Sequence, residues 1–323
     1  MSTITSFTLP TSLRALAPGA DKRYHVYPLV SGKNKKKKRW IEAPDSELKA
    51  AQRWLLDNWL YHLPPTGFAH GFVPGRSILT NAAEHVGRRW VVTADVRDFF
   101  PSITAGRIAT CLAELELDAA DRSTVVQLVT RRGRLPQGAP TSPHLANLVA
   151  RTLDLRLSGL ARQHDWTYTR YADDLTFSAG SPDSADSADS ADTAMPPHEL
   201  LWAIERIVSD EDFQLAADKT HVMPHHQRQT VTGLVVNQRV ALPKPRRRIL
   251  RAMLHRLKTA EPETLDLRQL QVAQGHLALS KLIDPDGYGL ACRHLAELIR
   301  NSVVGSAPGP AVDSGSTATT KLD

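Results

Sequence analysis

At 323 residues and 41% hydrophobic content, the chain can bury a substantial core in one large or two to three modest domains. Its two cysteines, Cys111 and Cys292, exclude a disulfide framework or a Cys-rich zinc site, and no apolar run approaches the length of a membrane span. Lys plus Arg exceed Asp plus Glu by 40 to 34, and the excess is concentrated: six of the seven residues from Lys33 to Arg39 are basic, and Pro243 to Lys258 holds seven Lys or Arg and no acid. Such patches suit phosphate-bearing partners. No basic start followed by a sustained apolar run opens the chain, so Met1 is expected to be the mature start of a cytoplasmic protein.

After a leader (residues 1–23), Tyr24 to Val30 is expected to form a strand and Arg39 to Pro44 its return, making a hairpin with a basic tip. Leu48, Ala51, Leu55, Trp59 and Leu63 recur at three- and four-residue intervals and predict an amphipathic helix ending before Pro64. The Gly- and Pro-rich stretch from Gly67 to Ile78 reads as an ordered loop in which Arg76 either reaches a phosphate or staples the loop. Asn81 to His85 opens a short helical stretch. Trp90 to Asp95 is a buried strand ending in a carboxylate, and Ser102 or Thr104 can cap the helix that follows. Leu135 to Pro143 is turn-dense and leads into a helix from His144 to Leu160.

The stretch Tyr168 to Ser178 alternates aromatic and β-branched residues around Asp173 and Asp174, which predicts a hairpin with both acids at its tip. Two like charges there, with Asp95 from a neighbouring strand, favour a hard divalent cation. Residues 181–197 repeat Ser-Ala-Asp three times from Ser184 and are expected to be a flexible surface insertion. A helix through Leu200 to Val208 comes next, then a turn and strand from Phe213 to Met223 containing Lys219. A second hairpin from Val231 is expected to return near Val240 to Leu242. Beyond Pro243 lies a basic helix followed by two more, and the Ser-, Thr- and Gly-rich tail from residue 305 is expected to be disordered. The histidines, including His225 and His226, show no metal-site spacing.

In this order, the Arg39-x-Ile41 strand, Gly71-Phe72-x-x-Gly75-Arg76-Ser77, Asp95 with Phe99-Phe100-Pro101-Ser102, Gln137-Gly138-x-Pro140-x-Ser142-Pro143 and Tyr171-Ala172-Asp173-Asp174 resemble a reverse transcriptase of the bacterial retron type. The resemblance spans about Tyr24 to Leu298, and two further retron signatures, Asn81-Ala82-x-x-His85 and Val231-Thr232-Gly233, stand where that group has them. Group II intron and diversity-generating enzymes, or an RNA-binding scaffold without synthesis, are the alternatives. The resemblance implies an α+β right-hand polymerase fold: fingers from residues 24–89 and 104–136, a palm from 90–103 and 137–242, and a small helical thumb from 243–304.

The same resemblance implies roles for individual residues. Asp95, Asp173 and Asp174, with the Val96 carbonyl, would hold two Mg²⁺, and Lys219 would assist the departing pyrophosphate. Arg39, Gln137 and Gly138 would border the nucleotide, with Phe100 beneath its sugar as a gate against a 2′-hydroxyl. Asn81, His85, Val231, Thr232 and Gly233, together with Arg247, Arg248 and Arg251 on the basic helix, would select the RNA. The implied partners are deoxynucleotides, a structured non-coding RNA serving as template and, through a guanosine 2′-hydroxyl, as primer, the RNA–DNA hybrid product, and a separate effector protein in defence against phage. No membrane partner is implied.

Overall fold

Period-two alternation becomes strand and three- and four-residue spacing becomes helix along most of the chain. A computed structural model describes residues 8–31, 37–114, 117–181, 194–259 and 267–304. The chain divides into two compact units, Met1–Val240 and Ala241–Asp323. Antiparallel sheets among helices make it an α+β protein. Among the described residues no helix is long and apolar enough to cross a membrane.

The first unit opens with α1 (Thr11–Leu16) and a 3-10 turn, both anchored by buried Leu13, Ala17 and Ala20. Strands β1 (Tyr24–Ser31) and β2 (Lys37–Pro44) then pair antiparallel, Tyr24 opposite Pro44 and Leu29 opposite Arg39. The tip of this hairpin lies outside the described residues. Asp45 caps α2 (Ser46–Asn58) by accepting from Leu48 N at 2.9 Å. That helix is shorter than the apolar spacing suggests: Trp59 leaves helical geometry and a 3-10 turn over Leu60–His62 follows. Pro64 disfavours a helical residue before it, and the tighter turn still buries Leu60 and Leu63.

Helix α3 (Ile78–Ala83) carries a reciprocal cap in which Ser77 and Thr80 each bond the other's backbone N–H. Next come β3 (Trp90–Asp95), α4 (Phe99–Ser102) and α5 (Ala105–Ala113), the last capped by Thr104 rather than Ser102. Helix α6 (Ala119–Val129) is capped by Asp118. The single helix expected from His144 to Leu160 is two, α7 (Ser142–Val149) and α8 (Arg151–Gln163), interrupted at Ala150. Strands β4 (Trp166–Tyr171) and β5 (Asp174–Ala179) form the expected hairpin.

Residues 182–193, most of the Ser-Ala-Asp insertion, lie outside the described residues, as does everything from 305 onward. Helix α9 (Pro197–Asp210), a 3-10 turn over Ala217–Lys219, β6 (His221–Pro224), β7 (Thr230–Val231) and β8 (Leu234–Val235) complete the unit. The second hairpin turns at Thr232 and Gly233, not beyond residue 236 as the apolar pattern suggested. Their positive φ values of 47° and 80° give the tight twist that a two-residue hairpin loop requires.

The central sheet runs β4-β5-β3-β6, antiparallel throughout. Its strands contribute Val92, Leu175 and Phe177 to a continuous core with Leu55, Ile108, Leu153 and Ile204 from the helices. Beneath the β4–β5 turn lies a fully buried ion pair, Arg170 with Asp154, both side chains 0% exposed. The second unit contains α10 (Lys244–Thr259), α11 (Leu267–Ile283) and α12 (Pro285–Val304). Arg247, Arg248 and Arg251 are exposed on α10 and line an open groove of about 890 Å³ that also includes Tyr288.

Removing one member of a buried pair leaves the other charge stranded. Asp154→Ala is therefore expected to lower the unfolding free energy by about 3–5 kcal/mol, seen as a fall in the urea midpoint at unchanged slope; a midpoint within error of the parent would contradict it.

Candidate active site

The register of the central sheet places Asp95, the last residue of β3, directly opposite Asp174, the first of β5. Ala172 and Asp173 form the turn, so only Asp173 is at the tip while Asp174 already belongs to the strand. Val96 N donates to Asp173 O at 2.9 Å, which ties the end of β3 to the turn. The three acids therefore share one corner of the sheet. Among the described residues, however, no three His, Cys, Asp or Glu side chains converge closely enough to hold one ion. The Asp95 carboxylate is instead engaged by Lys219, whose Nζ lies 2.6 Å from Asp95 Oδ1.

The electrostatics follow from this crowding. Burial, then the negative charge of Asp173 and Asp95, push the Asp174 carboxyl up to about 6, with Lys219 and Arg39 pulling it back. Asp173 is raised as well, by burial and then by Asp95. Solvent still reaches Asp174, so mutual repulsion is the part of its shift that a bound cation removes. Lys219 is raised in turn by its bond to Asp95, which keeps it charged. A corner of hard carboxylate oxygens that repel one another fits a divalent cation in donor chemistry.

A cavity of about 410 Å³ opens beside this corner, lined by Asp95, Asp174 and Lys219 and by other polar groups including Thr176, Thr232 and His221. Arg39, Phe100, Gln137 and Gly138 do not line it. Arg39 is exposed on β2, near enough for its charge to act on both acids of the turn. Gln137 O accepts from Glu42 N at 2.8 Å, which docks its turn on β2. Gly138 has φ +133°, and a Cβ there would meet Ile41 Cγ2 at 2.9 Å, so only glycine fits against that strand. Phe100 lies on α4 against the rings of Phe99 and Phe72. Arg76 staples its loop, with Nη1 donating to the carbonyls of Gly67 and Ala69.

Three residues expected to select RNA are internal. Asn81, His85 and Val231 are each 0% exposed, so none presents its side chain to a ligand. His85 lies under the sheet, its Nδ1 2.7 Å from Ser178 Oγ and its Nε2 2.7 Å from Thr169 Oγ1, which joins α3 and the turn after it to β4 and β5. Thr232 and Gly233 reach the cavity beside the acids, and Thr232 Oγ1 donates to Ile78 O at 3.1 Å. Of the two signatures, Thr232 and Gly233 line that cavity while His85 braces the sheet.

Sequence reasoning missed the support beneath the turn. Arg170 Nε and Nη2 each donate to Asp154 at 2.7 Å, while Nη1 donates to Asn147 Oδ1 at 3.0 Å and to Ala172 O at 3.1 Å. Asp154 also accepts from the Tyr168 and Thr66 hydroxyls at 2.8 and 2.6 Å. The available signal was Arg170 itself, a full charge inside a strand of buried aromatics, which has to be paired.

The chain matches the family model described as "Reverse transcriptase (RNA-dependent DNA polymerase)" over residues 31–236, and it belongs to that family. Its relatives place it on the retron branch. It is 40% identical over 298 residues to the retron Mx162 reverse transcriptase of Myxococcus xanthus, covering 84% of this chain and 60% of that one. The retron Mx65 reverse transcriptase of the same organism is 40% identical over 266 residues, covering 77% of this chain and 59% of the relative. The Escherichia coli retron Ec86 reverse transcriptase is 35% identical over 258 residues, 80% of this chain and 77% of the relative. The chain thus spans about three fifths of the length of the two Myxococcus relatives. Enzymes of this family generally use divalent metal ions.

Burial, then the charges of Arg88 and His70, lower the His85 pKa to about 3 from an ordinary 6.5. The folded state therefore binds fewer protons than the unfolded one between those limits, so stability is complete above pH 6.5 and is lost as pH falls towards 3. Relative to the parent, His85→Gln is expected to flatten that decline by up to ~1.4 kcal/mol per pH unit, measured as urea midpoints from pH 7 to pH 4. Parallel profiles would contradict the assignment.

Proposed function

We propose that this chain is a retron reverse transcriptase that acts in the cytoplasm. It copies a cognate structured non-coding RNA into branched, RNA-linked single-stranded DNA, starting from an internal guanosine 2′-hydroxyl. The observation that carries the reading is the three-acid corner, Asp95 opposite Asp174 with Asp173 in the adjoining turn, faced by the Lys219 ammonium. Residues 24–89 and 104–136 act as fingers, 90–103 and 137–242 as palm, and 243–304 as thumb. The product serves defence against phage together with a separate effector protein.

Asp95, Asp173 and Asp174, with the Val96 carbonyl, would hold two Mg²⁺. When bound, such ions lower the pKa of the attacking hydroxyl and offset charge on the triphosphate and the departing pyrophosphate. The chain's own groups supply the rest. Arg39 grips the triphosphate through charge-assisted hydrogen bonds. Gln137 and the Gly138 backbone border the nucleotide, and Phe100 lies under the sugar, where a 2′-hydroxyl would collide with its ring. Lys219, kept protonated by its carboxylate partner, neutralises or protonates the leaving pyrophosphate. The exposed Arg247, Arg248 and Arg251 hold nucleic-acid backbone in a salt-sensitive way, independent of sequence. Thr232 and Gly233 offer the RNA a polar edge beside the acids.

Purified protein with an RNA template, primer, Mg²⁺ and deoxynucleotides is expected to extend the primer. Asp173→Ala should reduce extension to background while melting as a folded protein, and Phe100→Ala should admit ribonucleotides. Co-expression with a compact inverted-repeat RNA encoded upstream is expected to yield DNA that a 2′,5′-debranching enzyme releases from its RNA. Absence of synthesis by the parent would leave an RNA-binding scaffold, and linear, unbranched product would point to another reverse transcriptase class.

A further inference from the structure

The loop carrying Gly71 and Phe72 is built against the catalytic turn. A Cβ on Gly71 would lie 2.5 Å from Ala172 N, so the two backbones touch there and only glycine fits. Asn147 Nδ2 donates to Gly71 O at 2.9 Å, and Arg76 ties the loop's other strand to Gly67 and Ala69. Phe72, the next residue, has φ +62°, a conformation in which a bulky side chain is strained. The residue is 46% exposed, so burial does little to offset that strain. A glycine or asparagine would make the same turn at lower cost, which leaves the aromatic ring itself as the feature to be explained.

Among the described residues that ring meets one other, Phe100. Its centroid is 6.1 Å from that of Phe100 at an interplanar angle of 62°, an edge-to-face contact. Phe99 holds Phe100 from another side at 5.7 Å and 66°. Phe99 is buried in the core, whereas Phe72 comes from the loop welded to the turn that bears Asp173. The Phe100 ring is thereby referenced both to the core and to the catalytic turn.

We propose that Phe72 is a positioning residue for sugar selection: it holds the Phe100 ring at a fixed height relative to the catalytic turn and so sets how firmly a ribose 2′-hydroxyl is refused. The inference rests on Phe100 being the sugar gate. Loss of one edge-to-face contact is expected to relax the ratio of deoxynucleotide to ribonucleotide kcat/KM by about three- to tenfold.

The test measures that ratio by single-nucleotide extension in the parent, Phe72→Gly, Phe72→Tyr, Phe100→Ala and the Phe72→Gly/Phe100→Ala double variant. Phe72→Gly should melt at or above the parent's temperature, because glycine accepts φ +62° without strain, and still discriminate less; Phe72→Tyr should keep the parental ratio. The double variant should be no more permissive than Phe100→Ala alone, since Phe72 acts through that ring. An unchanged ratio in Phe72→Gly alongside a relaxed Phe100→Ala would overturn the positioning role and leave the gate intact. Additive relaxation, or loss of all synthesis in a folded Phe72→Gly protein, would also overturn it by placing Phe72 in direct contact with the substrates. No relaxation in Phe100→Ala would remove the gate and this inference together.

Discussion

A guanidinium wholly withdrawn from water persists only where its donors find acceptors, and Arg170 meets that demand with Asp154, Asn147 and the carbonyl of Ala172. Desolvating both charges costs several kcal/mol per ion, so such a pair adds little net stability over apolar residues of the same shape. What it adds here is geometry. The planar fork fixes three directions at once: Nε and Nη2 onto one carboxylate, Nη1 onto the β4–β5 turn. A lysine at this position could supply the charge but not those directions. Through the further bonds of Asp154 to Tyr168 and Thr66, the Thr66 loop, α7, α8 and β4 with its turn are referred to a single point beneath Ala172.

Above that point the sheet carries an unfavourable feature. Like charges directly opposite each other on antiparallel strands repel, and Asp95 with Asp174 is such a pair. The chain places an opposing charge there by running the segment before β6 along the end of β3. Arg97 N donates to Gln214 O, Ala216 N donates to Asp95 O and Lys219 N donates to Ala216 O. Lys219 is thus positioned from the same strand that bears Asp95. With its side chain 45% exposed, it is a countercharge able to release the carboxylate, unlike the sealed Arg170. Arg170 and Lys219 thus have opposite characters, one sealed and fixed in direction, the other exposed and held by a single carboxylate.

Much of this was legible in sequence because it rests on local pattern. Alternation marked β3, β4 and β5, a terminal acid marked Asp95, and adjacent acids marked the turn. What escaped depends on long-range geometry. Nothing around Ala150, a strong helix former, announces the break between α7 and α8, yet the break lets Asn147 and Asp154 aim at one guanidinium from two helices. The turn of the second hairpin was misplaced because the apolar run Leu234 to Val236 continues past it, whereas positive φ at Thr232 and Gly233 ends the strand earlier. Asn81, His85 and Val231 belong to a recognisable signature that suggests contact with RNA, yet all three are buried. A signature reports that residues matter, and burial decides whether they touch a ligand or hold the wall behind it.

Backbone strain is distributed in the same way. Among the described residues seven non-glycine positions have positive φ; Asp165 and Asp212 close ordinary helix ends, where Asp tolerates that region, and Arg132 lies in the tight turn that pairs Arg131 with Arg134. Phe72, Ala172 and Thr232 also lack a side chain suited to it, and they lie around the acid corner: Ala172 in the turn, Phe72 beside the Gly71 that touches it, and Thr232 in the cavity lining. Each is held by a neighbour that over-determines it, Ala172 by Arg170, Phe72 by the contact of Gly71 with the turn, and Thr232 by Ile78 O. Strain survives only where surrounding bonds outweigh it, so its concentration here shows that the fold holds this corner in one arrangement before any substrate arrives. Pre-set geometry of this kind is what in-line phosphoryl transfer demands of a protein, since catalysis there is mostly placement and charge.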